Sequence, residues 1–105
     1  MSEPIYLLVI GKGWKEAWHQ LSQEEQDDLW AEVEKIEERA GSKWLILCNS
    51  RWADEDVFDW GVLEYPSIEV YQQKVAELEQ LNFWRYWSAK TILGTKFTNP
   101  PRVNV

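Results

Sequence analysis

At 105 residues, 45% hydrophobic and 28% charged, the chain has the size and make-up of one folded domain rather than a disordered segment. Eighteen acidic against 11 basic residues leave a formal charge of -7, which repels phosphate backbones and anionic lipid and argues against nucleic acid or a membrane surface as partner. No apolar run approaches the roughly 20 residues of a bilayer span, Met1-Ser2-Glu3-Pro4 lacks the basic and apolar regions of an export signal, and the single Cys48 makes no intrachain disulfide, so the expected setting is cytoplasmic.

Ile5 to Ile10 is apolar at both parities and closes on Gly11-Lys12-Gly13. This predicts a first strand over about 5–11, buried on both faces and ended by a glycine turn. A phosphate loop is not encoded there, because no third glycine stands at the dinucleotide spacing and no Gly-Lys-Ser/Thr follows. Trp14 and Trp18 fall in the connection. Ser22 and Glu25 then form a capping-box pattern that opens a helix over about 22–40. Leu29, Val33, Ile36 and Ala40 make its inner stripe, its glutamates and Asp28 a solvated outer face, and Gly41 its end.

Strands over about 43–52 and 57–65 follow, joined through the acidic Ala53-Asp54-Glu55-Asp56 as a hairpin. Pro66 and Ser67 open a second helix over about 67–81, with Ile68, Tyr71, Val75, Leu78 and Leu81 on one stripe. A fourth strand over about 86–97 stops before Asn99-Pro100-Pro101, leaving an extended tail over 98–105.

The order β-α-β-β-α-β is the ferredoxin-like α+β arrangement. Right-handed crossovers give an antiparallel sheet of order 4-1-3-2 with both helices on one face. Such a sheet leaves its other face bare, yet the hairpin strands barely alternate. Trp44, Ile46, Cys48, Trp52, Phe58, Trp60 and Val62 hold the even positions, Leu45, Leu47, Leu63 and Tyr65 odd ones. A second apolar surface predicts a partner, and the economical one is a second copy packed sheet to sheet. Trp44, Trp52 and Trp60 share a parity and are expected in one buried layer.

Few residues carry recognisable chemistry. His19 is the only histidine, so a two-histidine metal site is excluded within one chain, and no metal or other cofactor is expected. Its place after Trp18 suits either a general base at a cavity rim or an exposed loop residue. Cys48, mid-strand among apolar neighbours, reads as a small hydrophobe. With the hairpin centred near Glu55, Arg51 lies opposite Asp59 and Asn49 opposite Gly61. The three polar side chains make either a cross-strand ion pair near a sheet edge or the sparse polar groups of an apolar pocket. Asn82-Phe83-Trp84-Arg85-Tyr86-Trp87 sets four aromatics around Arg85, either as a hydrophobic plug or as part of a ligand site.

Trp18-His19-Gln20-Leu21-Ser22 leading into Glu24-Glu25, Trp60-Gly61-Val62-Leu63-Glu64-Tyr65-Pro66, and Phe83-Trp84-Arg85-Tyr86 with Leu93-Gly94 resemble small stand-alone members of the dimeric α+β barrel superfamily, those of darcynin type among them. The likeness runs from Ile5 to about Phe97. It implies a homodimer whose two sheets form a barrel, and a pocket in each subunit between sheet and helices. The wider superfamily includes cofactor-free monooxygenases, muconolactone-type isomerases, haem peroxidases and haem-degrading enzymes. The last use an Asn on the first strand, a Trp on the third and a His on the second helix. Trp60 loosely matches that Trp, but Ile5 to Ile10 holds no Asn and Ser67 to Leu81 no His. The expectation is therefore a homodimer that binds a small apolar or aromatic ligand in an indole-lined pocket, with Asn49, Arg51, Asp59, Trp60, Arg85 and Trp87 around it. A cofactor-free oxygenase or isomerase with His19 as acid-base group is one alternative, and a non-catalytic dimer module is another.

Overall fold

A computed structural model describes residues 3–98. Its elements are β1 (Ile5–Trp14), α1 (Glu16–His19), α2 (Gln23–Ala40), β2 (Lys43–Asn49), β3 (Asp59–Tyr65), α3 (Ile68–Gln80), a 3-10 turn (Phe83–Arg85) and β4 (Trp87–Gly94). The strands form one antiparallel sheet in the order β2-β3-β1-β4, which is the expected 4-1-3-2 read from the opposite edge. With α2 and α3 on one face, the architecture is α+β and compatible with the ferredoxin-like fold. No described helix is long and apolar enough to cross a membrane.

The helix ends follow the local chemistry. Ser22 Oγ accepts from the Glu25 amide (3.1 Å) while Glu25 Oε1 accepts from the Ser22 amide (2.9 Å), a complete capping box at the start of α2. Ser67 Oγ accepts from the Val70 amide (3.2 Å) and starts α3. One buried cluster joins Ile5, Leu7, Leu63 and Tyr65 of the sheet to Ala40 of α2. A second joins Val33 and Ile36 of α2 to Leu78 of α3 and Phe83 of the turn.

Strand ends depart from expectation in instructive ways. Gly11-Lys12-Gly13 does not end β1. Lys12 is an extra residue in the ladder with β4: Gly11 pairs with Ala89, Gly13 with Ser88, and pairing continues to Trp14 against Trp87. Gly13 has φ 128°, a backbone state closed to other L residues, which lets the strand absorb the insertion. β2 ends at Asn49, not Trp52. Asn49 Oδ1 accepts the Arg51 amide (3.0 Å), and the Ser50 carbonyl accepts the amides of Ala53 (3.0 Å) and Asp54 (2.9 Å), which bends the chain out of the ladder. The hairpin register therefore shifts by two residues, so that Asn49 faces Asp59 and Leu47 faces Gly61. Arg51 lies beyond the strand and is not the cross-strand partner of Asp59.

A second irregularity sits between Trp44, opposite Leu63, and Ile46, opposite Val62, leaving Leu45 as the extra residue. It separates tryptophans expected in one layer. Trp44 shares the helix-covered side with Leu63, Trp60 lies on the other face beside Cys48 and Ile10, and Trp52 is 83% exposed in the connection. β3 begins at Asp59 rather than 57, and β4 spans Trp87–Gly94 rather than 86–97. The four-residue α1 was not expected, and the tail expected over 98–105 lies outside the described residues beyond Thr98.

The face away from the helices carries Leu8, Ile10, Ile46, Cys48, Trp60, Val62 and Ile92. Tyr6 donates to Glu64 Oε1 (3.2 Å) near its margin. Among the described residues nothing covers it.

Gly13→Ala is expected to cost about 1–3 kcal/mol in urea unfolding through the backbone alone, since a Cβ there comes no closer than 3.9 Å to its one neighbour, Phe58. Gly94→Ala, where a Cβ meets open space, is the matched control and is expected to change stability little.

Candidate functional site

The helix-covered side of the sheet is not packed throughout. A cavity of about 700 Å³ lies between it and the helices α2 and α3, large enough for a small organic molecule. Leu7, Val9, Leu63, Ala89 and Thr91 form the floor, and Val33, Tyr71 and Leu78 the roof. Trp14, Trp30, Phe83, Trp84 and Trp87 gather at one end. Trp44 and Leu47 flank the β2 side, where they stay about half exposed (46% and 54%).

Two glycines make room for the rings. A Cβ at Gly11 would overlap Asp59 Oδ1 and stand 2.7 Å from Trp87 Cζ2. At Gly61 it would overlap the Ile46 carbonyl and stand 2.7 Å from Trp44 Cζ3. Indoles can thus lie against bare backbone at both places. Trp14 is the hub of the aromatic end. It stacks on Trp18 (4.0 Å between centroids, 13° between planes) and meets Trp87 (4.8 Å), Trp30 (5.9 Å) and Phe83 (6.4 Å) edge to face. Both geometries suit the ring quadrupoles. Phe58 meets Trp87 edge-on at 5.8 Å.

Polar groups enter at two places. On the roof, Lys74 is only 8% exposed, and its Nζ lies 3.2 Å from Glu37 Oε1 and over the rings of Tyr65 and Tyr71 (5.4 and 5.3 Å). The Tyr65 hydroxyl donates to Glu37 Oε2 (2.7 Å), so both carboxylate oxygens have a partner. Burial, with the Glu37 charge adding to it, pushes the phenols of Tyr65 and Tyr71 up, keeping them neutral donors. This network is internally neutral and satisfied.

Asp59 is different. Its carboxylate rests over Gly11 beside Trp87, and among the described residues no hydrogen-bond donor or ion-pair partner reaches it. Burial raises its carboxyl above the ordinary aspartate value, and the positive charge of Arg51 partly offsets this. Arg51 itself is engaged elsewhere. Its Nε donates to Asn49 Oδ1 (3.2 Å) and its guanidinium lies 4.2 Å above the Phe58 ring.

Of the residues singled out in the sequence, Asp59 and Trp87 line this cavity. Asn49 and Arg51 flank Asp59 without lining it. Trp60 faces the opposite side of the sheet. Arg85 is exposed on the 3-10 turn, and His19 is exposed at the end of α1; neither borders the cavity. Trp14, Trp30, Trp44, Trp84, Glu37 and Lys74 were not anticipated. The one available signal was Lys74, a cation on the stripe shared by Tyr71 and Leu78. Among the described residues no three His, Cys, Asp or Glu side chains gather as a metal site.

A carboxyl whose folded-state pKa is raised favours the folded state in its protonated form. Its contribution is fully present below the ordinary aspartate pKa and is lost as pH rises through the folded value. Asp59→Asn is therefore expected to raise the thermal midpoint at pH 7.5, with the gain shrinking steadily as the pH is lowered into the ordinary carboxylate range. Thermal melts of both proteins across pH 4 to 8 check the sign. Comparison with protein-family models and with curated proteins finds no match for this chain.

Proposed function

We propose that the protein binds a small, largely apolar or aromatic molecule in the cavity between sheet and helices, and does so as a homodimer. One observation carries the binding reading: about 700 Å³ bordered by five indoles, with the donor-free carboxylate of Asp59 among its few polar groups. A domain that needed tryptophan only for packing would close such a volume, because each buried ring gains contact from its neighbours. Self-association is supported by the bare sheet face, whose centre is Leu8, Ile10, Trp60 and Val62 and whose charged groups, Lys43, Glu64 and Lys90, stand toward its margins. A second copy offers a face of the same size and chemistry across a two-fold axis.

The carboxyl of Asp59 also supports a second reading, cofactor-free acid-base chemistry of the isomerase or oxygenase kind. Burial disfavours ionisation of Asp59, which leaves its carboxyl readier to hold and pass a proton than an exposed aspartate, and Asp59 rather than His19 borders the cavity.

Titration with small aromatic compounds such as indole is expected to change tryptophan emission with saturation. Val9→Phe, which fills the floor, is expected to weaken that binding at least about tenfold while the protein stays folded by circular dichroism. Saturable binding that Val9→Phe leaves intact places the ligand elsewhere and overturns the cavity reading. Light scattering at micromolar concentration is expected to give twice the 12.5 kDa chain mass, and Trp60→Glu to give the monomer. A wild-type monomer overturns the dimer.

A further inference from the structure

On the reading that the cavity binds a ligand, we infer that its natural occupant is an organic cation, an amine or quaternary ammonium on an apolar body. Three observations converge on this class. The first is the lining, because Trp14, Trp44 and Trp87 border one space, and indole is the best of the side-chain partners for a cation. The second is the distribution of charge around that space. Of the two cations near it, Lys74 is paired with Glu37, while Arg51, held by Asn49 and the Phe58 ring, keeps its charge but stands outside the lining. What remains is anionic, with Asp59 on the floor and Glu34 and Glu38 of α2 along the border. The third is the whole-chain charge of -7, which concentrates cations near the surface and repels carboxylate ligands before they reach the mouth.

Asp59 is the counter-ion in this arrangement. Around it stand Gly11 of β1, Asn49 of β2, Trp87 of β4 and Arg51 of the hairpin connection; α2 and α3 contribute the Glu37–Lys74 pair and the acidic border. A bound ammonium gives the carboxylate the partner that the protein does not supply, and the surrounding rings accept the rest of its charge. A neutral ligand offers Asp59 at most a hydrogen bond and no counter-charge, and an anionic one sets like charges together.

The test compares phenethylammonium, 2-phenylethanol and phenylacetate, which share a ring and differ in charge, and adds benzyltrimethylammonium as a permanent cation. Affinities are read from tryptophan emission. Both cations are expected to bind at least about tenfold more tightly than the alcohol, with phenylacetate weakest. Asp59→Asn is expected to remove most of that preference. Binding of benzyltrimethylammonium, whose charge is fixed, is expected to weaken as pH falls through the raised Asp59 pKa, and to weaken with added salt. Equal or tighter binding of the alcohol or the acid overturns the cation inference and leaves the cavity reading standing. So does an unchanged cation preference in Asp59→Asn. If no member of the panel binds, both readings fall.

Discussion

Two single-residue insertions in the sheet ladder decide the architecture of this protein. Side chains of a strand alternate between faces with a period of two, so one extra residue transfers everything beyond it to the other side. Lys12 does this in β1 and Leu45 in β2. Without the first, Trp14 would fall in step with Leu8 and Ile10 on the bare face. Without the second, Trp44 would fall in step with Ile46 and Cys48. With both, the two indoles join Trp87 on the helix-covered side, where Gly11 and Gly61 leave backbone for Trp87 and Trp44 to lie against. Cavity, aromatic hub and the composition of the bare face all follow from these two shifts in phase.

The same insertions explain which parts of the structure could be read from the chain. Capping signals at Ser22 and Ser67 and the apolar stripes behind them locate both long helices, because each depends on local spacing. Strand order follows from connectivity and handedness. Registers do not. β2 is apolar at both parities around Leu45, so no break in alternation marks the extra residue, and in β1 Gly13 looks like a terminator until its partner Ser88 is known. The hairpin was misread for a related reason. Asn49 and Ser50 hydrogen-bond the local backbone and end β2 early, and an assumed centre at Glu55 then set Arg51 against Asp59. Asp59 and Trp87, which border the cavity, stand out in the chain because polar intrusions and aromatic clusters are visible one residue at a time. Trp14, Trp30, Trp44 and Lys74 needed the fold to bring them together.

The two polar groupings of the cavity differ in what they ask of the molecule. Lys74, Glu37 and Tyr65 satisfy one another, and their cost of desolvation is offset within the network. They tie α2 and α3 to the last residue of β3 whether or not the cavity is filled. Asp59 has no such return within the described protein, and its burial works against the folded state near neutral pH. A partly buried carboxylate that borders a large cavity with no partner is the feature on which the proposed ligand site rests.

The sheet also links its two faces mechanically. Gly11 and Gly61, on which the cavity's floor depends, are flanked in sequence by Ile10, Trp60 and Val62 of the bare face. A partner packed on that face would press on the strands that hold Asp59 and bracket Trp87. The uncovered face and the cavity are therefore two sides of one sheet only a single backbone layer thick, joined through residues adjacent in the chain.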